Sequence, residues 1–232
     1  MSNSSTQTSI PGVTVESPSS LKMILTMGGI GLIAGILIVM TYQLTFPIIK
    51  VNKAAALDRA VFDVVPGART KSVFKLSGEE LQPLEGDDEL AVKYYACYDD
   101  AGRLVGVAVE ASGQGFQDVL HVLYGYSPRC DCVVGLKVLE SKETPGLGDK
   151  IQSDARFRSN FDSLDVALDS SGGMKHPVAL VKHGEKTEPW QIEAITGATI
   201  SSRAIATIIR ESTAVSVPLI QKNLSVLEKG VE

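Results

Sequence analysis

The chain has 232 residues, which is enough for one compact domain and a membrane anchor. Hydrophobic residues make up 44% and charged residues 21%, and this globular composition excludes a disordered or collagen-like protein. The net charge is −5 and the sequence has no block of Lys and Arg, which argues against nucleic acid as a partner, because phosphate binding needs clustered cations.

The chain begins with a segment predicted to be disordered, followed by a membrane span. Residues 1–20 are rich in Ser, Thr and Pro, which favours disorder. No charged residue interrupts the run from Met23 to Ile49, and about 20 apolar residues can cross a bilayer core of about 30 Å. The run is longer than the core of a typical signal peptide, and no small-residue cleavage site follows it. We therefore assign residues 21–47 to an uncleaved transmembrane helix.

The residues in and beside the span bear on its orientation and its neighbours. Lys22 precedes the span, whereas Lys50, Lys53 and Arg59 follow it. The positive-inside rule thus mildly favours a cytoplasmic C-terminal domain, but a domain of this size can be translocated despite so small a bias. The Gly-x-x-x-Gly pattern at 31–35 would let another helix approach closely, which is compatible with partner subunits in the membrane.

The rest of the chain is predicted to form a stalk helix and one α+β domain. Alanine-rich residues 48–66 favour the helix, which ends at Pro66-Gly67, and residues 67–232 make up the domain. A group of strands flanked by helices indicates the α+β class. The predicted elements are strands at 90–98 and 103–110 around an Asp-Asp-Ala-Gly turn, strands at 117–126 and 132–139, a helix at 150–161, strands at 178–182 and 190–195, and a helix at 199–214.

The cysteines and histidines do not predict a metal site. The chain has three cysteines, Cys97, Cys130 and Cys132, and an odd number does not indicate a disulfide framework. The Cys-x-Cys spacing at 130–132 differs from the Cys-x-x-Cys spacing of zinc and thioredoxin-like sites. We interpret them as ordinary buried or strand cysteines, with a redox or metal role as the alternative. None of the histidines is paired at ligand spacing, and none is assigned to haem or metal: His121, His176 and His183.

Two short segments are the candidates for chemistry, and the first is Glu-Thr-Pro-Gly-Leu-Gly-Asp-Lys at 143–150. Pro145-Gly146 predicts a turn, and Gly148 adds a second flexible point. Such a loop lets backbone amides approach a ligand closely. An ordinary strand-to-helix connection, with Glu143 as a solvated acid, accounts for the same residues. The sequence leaves both interpretations open.

The second segment is Thr-Gly-Ala-Thr-Ile-Ser-Ser-Arg at 196–203, which follows a predicted strand and opens a helix. Its small residues leave the backbone accessible, and the free N–H groups and partial positive charge of a helix N-terminus can hold a phosphate. Simple helix capping by Thr199, Ser201 or Ser202 explains the pattern equally well. The residues alone do not indicate a covalent modification of Thr199.

Together these two segments resemble the FMN-binding domain family. Thr-Gly-Ala-Thr at 196–199, with Glu-Thr-Pro-Gly-Leu-Gly upstream at 143–148, is similar to the G subunit of the Rnf electron-transport complex and, secondly, to the C subunit of the sodium-pumping NADH:quinone reductase. The resemblance covers residues 21–215, and the pair of motifs in this order and spacing is specific. It implies one N-terminal membrane helix and a single extracytoplasmic flavin domain.

The resemblance also implies a cofactor and its site. A dedicated flavin transferase would join FMN, taken from FAD, through its phosphate to the hydroxyl of Thr199. The transferase pattern begins with Asp three residues before the motif, whereas this chain has Glu193 there, an acid that is longer by one methylene. Segments 113–116 and 125–126 stand where the family has Gly-rich and aromatic residues. The other cofactor-binding residues that the resemblance implies are Thr196, Gly197, Ala198, Ser201, Ser202, Glu143, Thr144, Pro145, Gly146, Leu147 and Gly148.

The function implied is electron relay within an ion-translocating ferredoxin:NAD oxidoreductase, by a subunit that has no complete activity alone. The implied partners are other membrane subunits of an Rnf-type complex, the flavin transferase and the lipid bilayer. The implied location is the bacterial inner (cytoplasmic) membrane, crossed once, with the C-terminal domain on the periplasmic side. The alternatives are the quinone-reductase subunit and a non-redox, membrane-anchored binding or assembly module, which would purify without colour.

Overall fold

The structure is a computed structural model that describes residues 19–84, 86 and 92–230. Of residues 1–20, for which the sequence predicted disorder, residues 1–18 lie outside the described residues, and Ser20 already belongs to the first helix. The chain divides into two compact units, Met1–Asn52 and Lys53–Glu232, and each is described by itself. The helices are α1 Ser20–Val64, α2 Lys150–Ser153, α3 Ala155–Ser159, α4 Thr199–Lys222 and α5 Leu224–Lys229.

The N-terminal unit contains the apolar part of α1. Among the described residues, α1 is the one helix long and apolar enough to cross a membrane, and its most apolar stretch has a mean hydropathy of 2.4 with no residue buried in protein. An apolar surface of this kind is stable in lipid and not in water. The helix is continuous to Val64, so the predicted span and the predicted stalk helix are parts of one helix.

The C-terminal unit is built on a seven-stranded antiparallel sheet in the order β2-β1-β3-β4-β5-β6-β7. A second, two-stranded parallel sheet pairs β8 with β9. This mixture of sheet and helices confirms the predicted fold class. The strands are β1 Thr70–Ser77, β2 Glu80–Pro83, β3 Lys93–Tyr98, β4 Leu104–Gln114, β5 Val119–Ser127, β6 Cys132–Glu140, β7 Leu164–Asp165, β8 Ala179–Val181 and β9 Gln191–Glu193.

Each face of the large sheet packs against a helix, because successive side chains of a strand point to opposite faces. Helix α4 lies on the face that carries the main core, and its Ile205 and Ile209 are fully buried there. The end of α1 lies on the other face, where Val61 and Val64 pack against Tyr95. The sheet core on the α4 side consists of Phe74, Tyr94, Ala96, Tyr98, Val107, Val109, Leu120, Val122, Tyr124, Tyr126 and Val133.

Two facing glycines explain how closely α1 approaches the sheet. Gly125 of β5 is paired with Gly135 of β6. A Cβ atom added to either residue would collide with the carbonyl oxygen of Val64, and at Gly135 the separation would be only 2.6 Å. The last turn of α1 can therefore rest directly on the sheet backbone. Residues 125–126, which stand where the family has Gly-rich and aromatic residues, have structural roles here: Gly125 serves this contact and Tyr126 lies in the core.

Three further sequence expectations need correction. The predicted helix at 150–161 is two short helices, because Asp154 is extended (φ −68°, ψ 115°) and its side chain accepts a hydrogen bond from the Phe157 N–H. Strands β1 and β2 had not been predicted. The cysteines are not all free: Cys130 and Cys132 form a disulfide with their Cα atoms 5.1 Å apart, and Cys97 is the free, buried one.

Candidate functional site

The two segments singled out in the sequence lie side by side in the fold. The loop after β6 carries Glu143, and the first turn of α4 carries Ser201. The Ser201 hydroxyl donates a hydrogen bond of 2.5 Å to Glu143 Oε2, and both residues are buried. Residues 58 positions apart in the chain are thus joined at the centre of the candidate site.

Glu143 also holds the connection between β4 and β5. Its Oε1 accepts hydrogen bonds from the backbone N–H groups of Phe116 (2.7 Å) and Gln117 (3.2 Å). With the bond from Ser201, one carboxyl group accepts three hydrogen bonds from two other chain segments. The alternative interpretation of Glu143 as a solvated loop acid was wrong, because the residue is only 6% exposed.

Two glycines make room for this carboxyl group. A Cβ atom on Gly115 would lie 2.5 Å from Glu143 Oε1, and one on Gly148 would lie 2.6 Å from Ser201 Oγ. These separations are shorter than a Cβ atom can tolerate, so any larger residue would push the network apart. Gly115 and Gly148 therefore have a steric reason in the structure, and for Gly148 this adds to the flexibility that the sequence suggested.

The first turn of α4 has neither a side-chain cap nor an acid among its own residues, although the Glu143 carboxyl group contacts Ser201 in it. Ala198 occupies the N-cap position, where alanine offers no side-chain acceptor, and the turn Thr-Ile-Ser-Ser carries no acid. The Ser202 hydroxyl instead accepts the Ile195 N–H at 3.1 Å and donates to the Ala198 carbonyl at 2.9 Å, which fixes the entry to the helix. Gly197, with φ +83°, makes the turn. A helix start of this kind is suited to an anion.

An apolar cavity of about 350 Å³ opens beside this helix start. Three large apolar side chains on its wall are more than half exposed: Phe116 (59%), Leu147 (53%) and Ile200 (54%). Thr199, the first residue of α4, lines the same cavity and is exposed. Exposed apolar side chains around a concave surface mark a ligand site rather than ordinary surface.

A second, more polar cavity of about 600 Å³ lies next to Thr199 as well. Its charged lining residues are Lys182, Glu185 and Arg203, with His183 beside them. The Nδ1 atom of His183 lies 2.5 Å from Glu193 Oε1, which also accepts the Gly184 N–H at 2.8 Å. Thr199 therefore stands between an apolar cavity and a charged one.

A buried asparagine fixes the strand that leads to Thr199. The side-chain oxygen of Asn160 accepts the Glu193 N–H at 3.0 Å, and its amide nitrogen donates to the Glu193 carbonyl at 3.3 Å. The same oxygen accepts a 3.0 Å hydrogen bond from the ammonium group of Lys186. Burial lowers the pKa of Lys186, while the charges of Glu193 and Asp162 oppose that shift.

The structure brings most of the sequence-predicted site residues to these two cavities. Pro145 and Gly146 are exposed in the turn and line neither cavity, and Ser202 lies buried beneath the helix start. Thr196 lines the charged cavity. The predicted residues that line the apolar cavity are Glu143, Thr144, Leu147, Gly148, Gly197, Ala198, Thr199 and Ser201.

Sequence reasoning missed or misplaced several residues of the site. Ile200 was not among the predicted site residues, because it fits the apolar repeat of α4, yet it is exposed in the cavity wall. Lys182 was not considered, and Arg203 entered only as the last residue of the second segment with no role of its own, because isolated basic residues carry no sequence signal. Phe116 entered only as part of a Gly-rich segment, and its place in the cavity supports that inclusion.

The chain is similar to known proteins over most of its length. Residues 115–214 match the family model of the FMN-binding domain. The chain is 32% identical over 190 residues to the G subunit of the ion-translocating oxidoreductase complex of Methanosarcina acetivorans, and the match covers 82% of this chain and 90% of the relative. The chain belongs to the G-subunit family of ion-translocating oxidoreductase complexes.

Other relatives and solved structures extend the comparison. In the same family, the G subunit of the Na(+)-translocating ferredoxin:NAD(+) oxidoreductase complex of Acetobacterium woodii is 29% identical over 154 residues, 66% of each chain. The crystal structure of Shewanella oneidensis NqrC has a TM-score of 0.62 at 19% identity, covering 78% of this chain and all of that chain. The C subunit of the Na(+)-translocating NADH-quinone reductase from Parabacteroides distasonis has a TM-score of 0.58 at 19% identity, over 73% of this chain and 94% of that one. At these identities the two structures show a shared fold.

Proposed function

We propose that this protein carries FMN on the hydroxyl of Thr199 and relays electrons within an ion-translocating ferredoxin:NAD oxidoreductase complex of the Rnf type. The observation that carries the proposal is the position of Thr199: an exposed hydroxyl at a helix start that lacks a side-chain cap, between an apolar cavity and a charged one. Membership of the G-subunit family and the match to the FMN-binding domain support it.

The residues present fit the two parts of FMN. A phosphate suits the helix start, where the first-turn N–H groups point outward and no acidic side chain of that turn competes. A flat aromatic ring suits the wall formed by Phe116, Leu147 and Ile200, which would lose exposed apolar surface on contact. Bound FMN supplies one- and two-electron transfer chemistry.

The chain's own residues have supporting roles in this proposal. Thr199 is an attachment point and takes no part in proton transfer. Glu143 holds the Phe116 backbone and the first turn of α4 in a fixed relation, so that both walls of the cavity keep their spacing. A site held by buried hydrogen bonds keeps a cofactor in one orientation, which a relay between neighbouring subunits requires.

The attachment step is a phosphoryl transfer from FAD, carried out by a separate flavin transferase. The Thr199 oxygen forms a bond to the FMN phosphorus, the pyrophosphate bond of FAD breaks, AMP leaves and the hydroxyl proton is released. No other reactant is needed. Glu193, which stands where the transferase pattern has Asp, is engaged with His183 and the Gly184 N–H on the charged side of Thr199.

We further propose that the domain lies outside the cytoplasm, anchored by α1 in the lipid bilayer beside other membrane subunits. The Cys130–Cys132 disulfide supports this side of the membrane, because such bonds persist in oxidising compartments. The few basic residues after the span favour the opposite side only weakly. The measured mass of the native chain, before and after reduction, reports whether this pair is oxidised in cells.

The test is intact-mass analysis of the full chain expressed with a flavin transferase, followed by peptide mapping. We expect the mass of an FMN phosphoryl group on the peptide that contains Thr199, and none in Thr199→Val. The matched control is Thr207→Val, further along α4, which should retain the flavin. A colourless, unmodified wild-type chain would contradict the proposal and favour a non-redox binding or assembly module.

A further inference from the structure

Two cations approach Thr199 from different elements. Arg203 lies four residues after Thr199 on α4, a spacing that puts both side chains on one helix face. Lys182 directly follows β8 and lines the same charged cavity as Thr199 and Arg203. Both basic side chains are exposed, and within the described part of the chain neither makes an ion pair or side-chain hydrogen bond.

An anion would stabilise this placement. The helix dipole opposes a cation close to a helix N-terminus, and no residue of the first turn of α4 is an acid. The Glu143 carboxyl group contacts that turn from the side of the apolar cavity. Glu185 is the acid that lines the same cavity, and His183 is already in contact with Glu193. The apolar cavity on the other side of Thr199 has no Lys or Arg among its described lining residues. Positive charge is therefore concentrated on one side of the attachment point.

We propose that Arg203 and Lys182 are positioning residues that hold the charged phosphoryl end of FMN on the side of Thr199 away from the apolar cavity. This inference rests on the proposed function and adds the partners of the phosphate. A charged group held by Arg and Lys gains hydrogen bonds as well as Coulomb attraction. Holding the phosphate on the charged side directs the flavin ring toward Phe116, Leu147 and Ile200.

The test compares two probes, FMN and riboflavin, on the unloaded full chain produced without a transferase. Riboflavin has the same ring and lacks the phosphate. We expect FMN to bind about tenfold more tightly than riboflavin, in line with exposed charge-assisted contacts. The double variant Arg203→Gln, Lys182→Gln should lose this preference while its riboflavin affinity stays the same.

The matched control is Arg210→Gln, an exposed cation on the same helix about two turns further on, which should keep the full preference. Equal binding of the two probes by the wild type, no binding of either, or a preference that survives the double variant would overturn the inference.

The result of this binding test can be distinguished from the result of the mass test for attachment of FMN to Thr199. If the chain acquires FMN on Thr199 but the double variant keeps its phosphate preference, only these contacts are wrong. If the double variant loses the preference while the wild-type chain, expressed with a transferase, acquires no covalent FMN, the contacts stand and the attachment is wrong.

Discussion

The two faces of the large sheet hold their helices by different means. On the α1 face, the Gly125–Gly135 pair lets Val64 rest on the sheet backbone, and exposed ion pairs flank the contact. On the α4 face, Ile208 packs over Gly113, while a buried carboxyl and hydroxyl network shapes the start of the helix. The ion pairs of the α1 face are Lys53–Glu140, Lys71–Asp58 and Lys137–Asp63.

This difference separates attachment of a helix from construction of a site. The end of α1 is held by close backbone approach and by solvent-screened ion pairs. These are enough because this contact borders no cavity that has to remain accessible to a ligand. The start of α4 borders a cavity, so its buried polar groups must satisfy one another while the outward N–H groups remain accessible. If the two faces differ in this way, matched substitutions on them should change the free energy of unfolding by different amounts.

The largest expected effect is on the α1 face. Gly125→Ala would drive a Cβ atom into the Val64 carbonyl, which is backbone and cannot turn aside, so we expect a loss of about 3 kcal/mol of unfolding free energy. Gly113→Ala meets the side chain of Ile208 instead, which is stiff but can shift further than backbone can, so its cost should be lower, about 1 kcal/mol. Denaturant unfolding of the full chain in detergent, followed by Trp190 fluorescence, measures both. Equal losses of unfolding free energy in the two variants would contradict the distinction between a glycine that faces backbone and one that faces a side chain.

The next largest expected change in stability distinguishes Glu143, in the loop after β6, from Glu140, the last residue of β6. Glu143→Gln disturbs a buried group with three hydrogen bonds and should cost about 2 kcal/mol. Glu140→Gln removes an exposed ion pair with Lys53 and should cost about 0.5 kcal/mol or less. The same unfolding assay gives both values.

A second readout makes the glutamate comparison specific to the site. Glu143→Gln should also weaken riboflavin binding in the apolar cavity, whereas Glu140→Gln should leave it unchanged. A site that binds riboflavin normally without the Glu143 carboxyl group would show that the network is not needed to hold the cavity walls.

The smallest effect concerns the hairpin turn between β3 and β4. The Arg103 backbone N–H, then its side chain, and the Ala101 N–H lower the pKa of Asp99. A lowered pKa contributes stability that is present above the unfolded-state value of about 3.9 and is lost as the pH falls through the folded-state value. The melting temperature of Asp99→Asn should therefore be slightly below that of the wild type at pH 7 and equal to it at pH 2. The matched control is Asp100→Asn, whose melting temperature should stay close to that of the wild type at both pH values. A gap that persists at pH 2 would contradict this origin.

Local patterns were enough to predict some of the fold. The apolar run of α1, the Asp99–Gly102 turn and the start of α4 depend on neighbouring residues, and the structure has them at the predicted places. The interruption at Asp154 was missed because a single extended residue does not break the apolar pattern around it. Strands β1 and β2 were missed because their residues alternate only partly between buried and exposed.

The arrangement of the site could not be read from local patterns. The burial of Glu143 depends on Ser201 and Phe116, which are distant in the chain, and no rule of spacing connects them. The family resemblance directed attention to two segments that lie side by side in the structure, yet it did not predict that Glu143 of one contacts Ser201 of the other. The Cys130–Cys132 bond was missed for a related reason: pairing of nearly adjacent cysteines depends on the backbone turn around Asp131, with φ +50°, which composition does not encode.

The hydrogen bonds of Glu143 bear on the order in which the chain is synthesised, folds and acquires its cofactor. These three hydrogen bonds join the β4–β5 connection, the loop after β6 and the start of α4, so the last of them forms only when residues up to Ser201 have been synthesised and docked. Contacts between such distant residues form late in folding. If FMN is attached to Thr199 as proposed, attachment that depends on the assembled cavity comes after folding, and a misfolded chain remains without the cofactor.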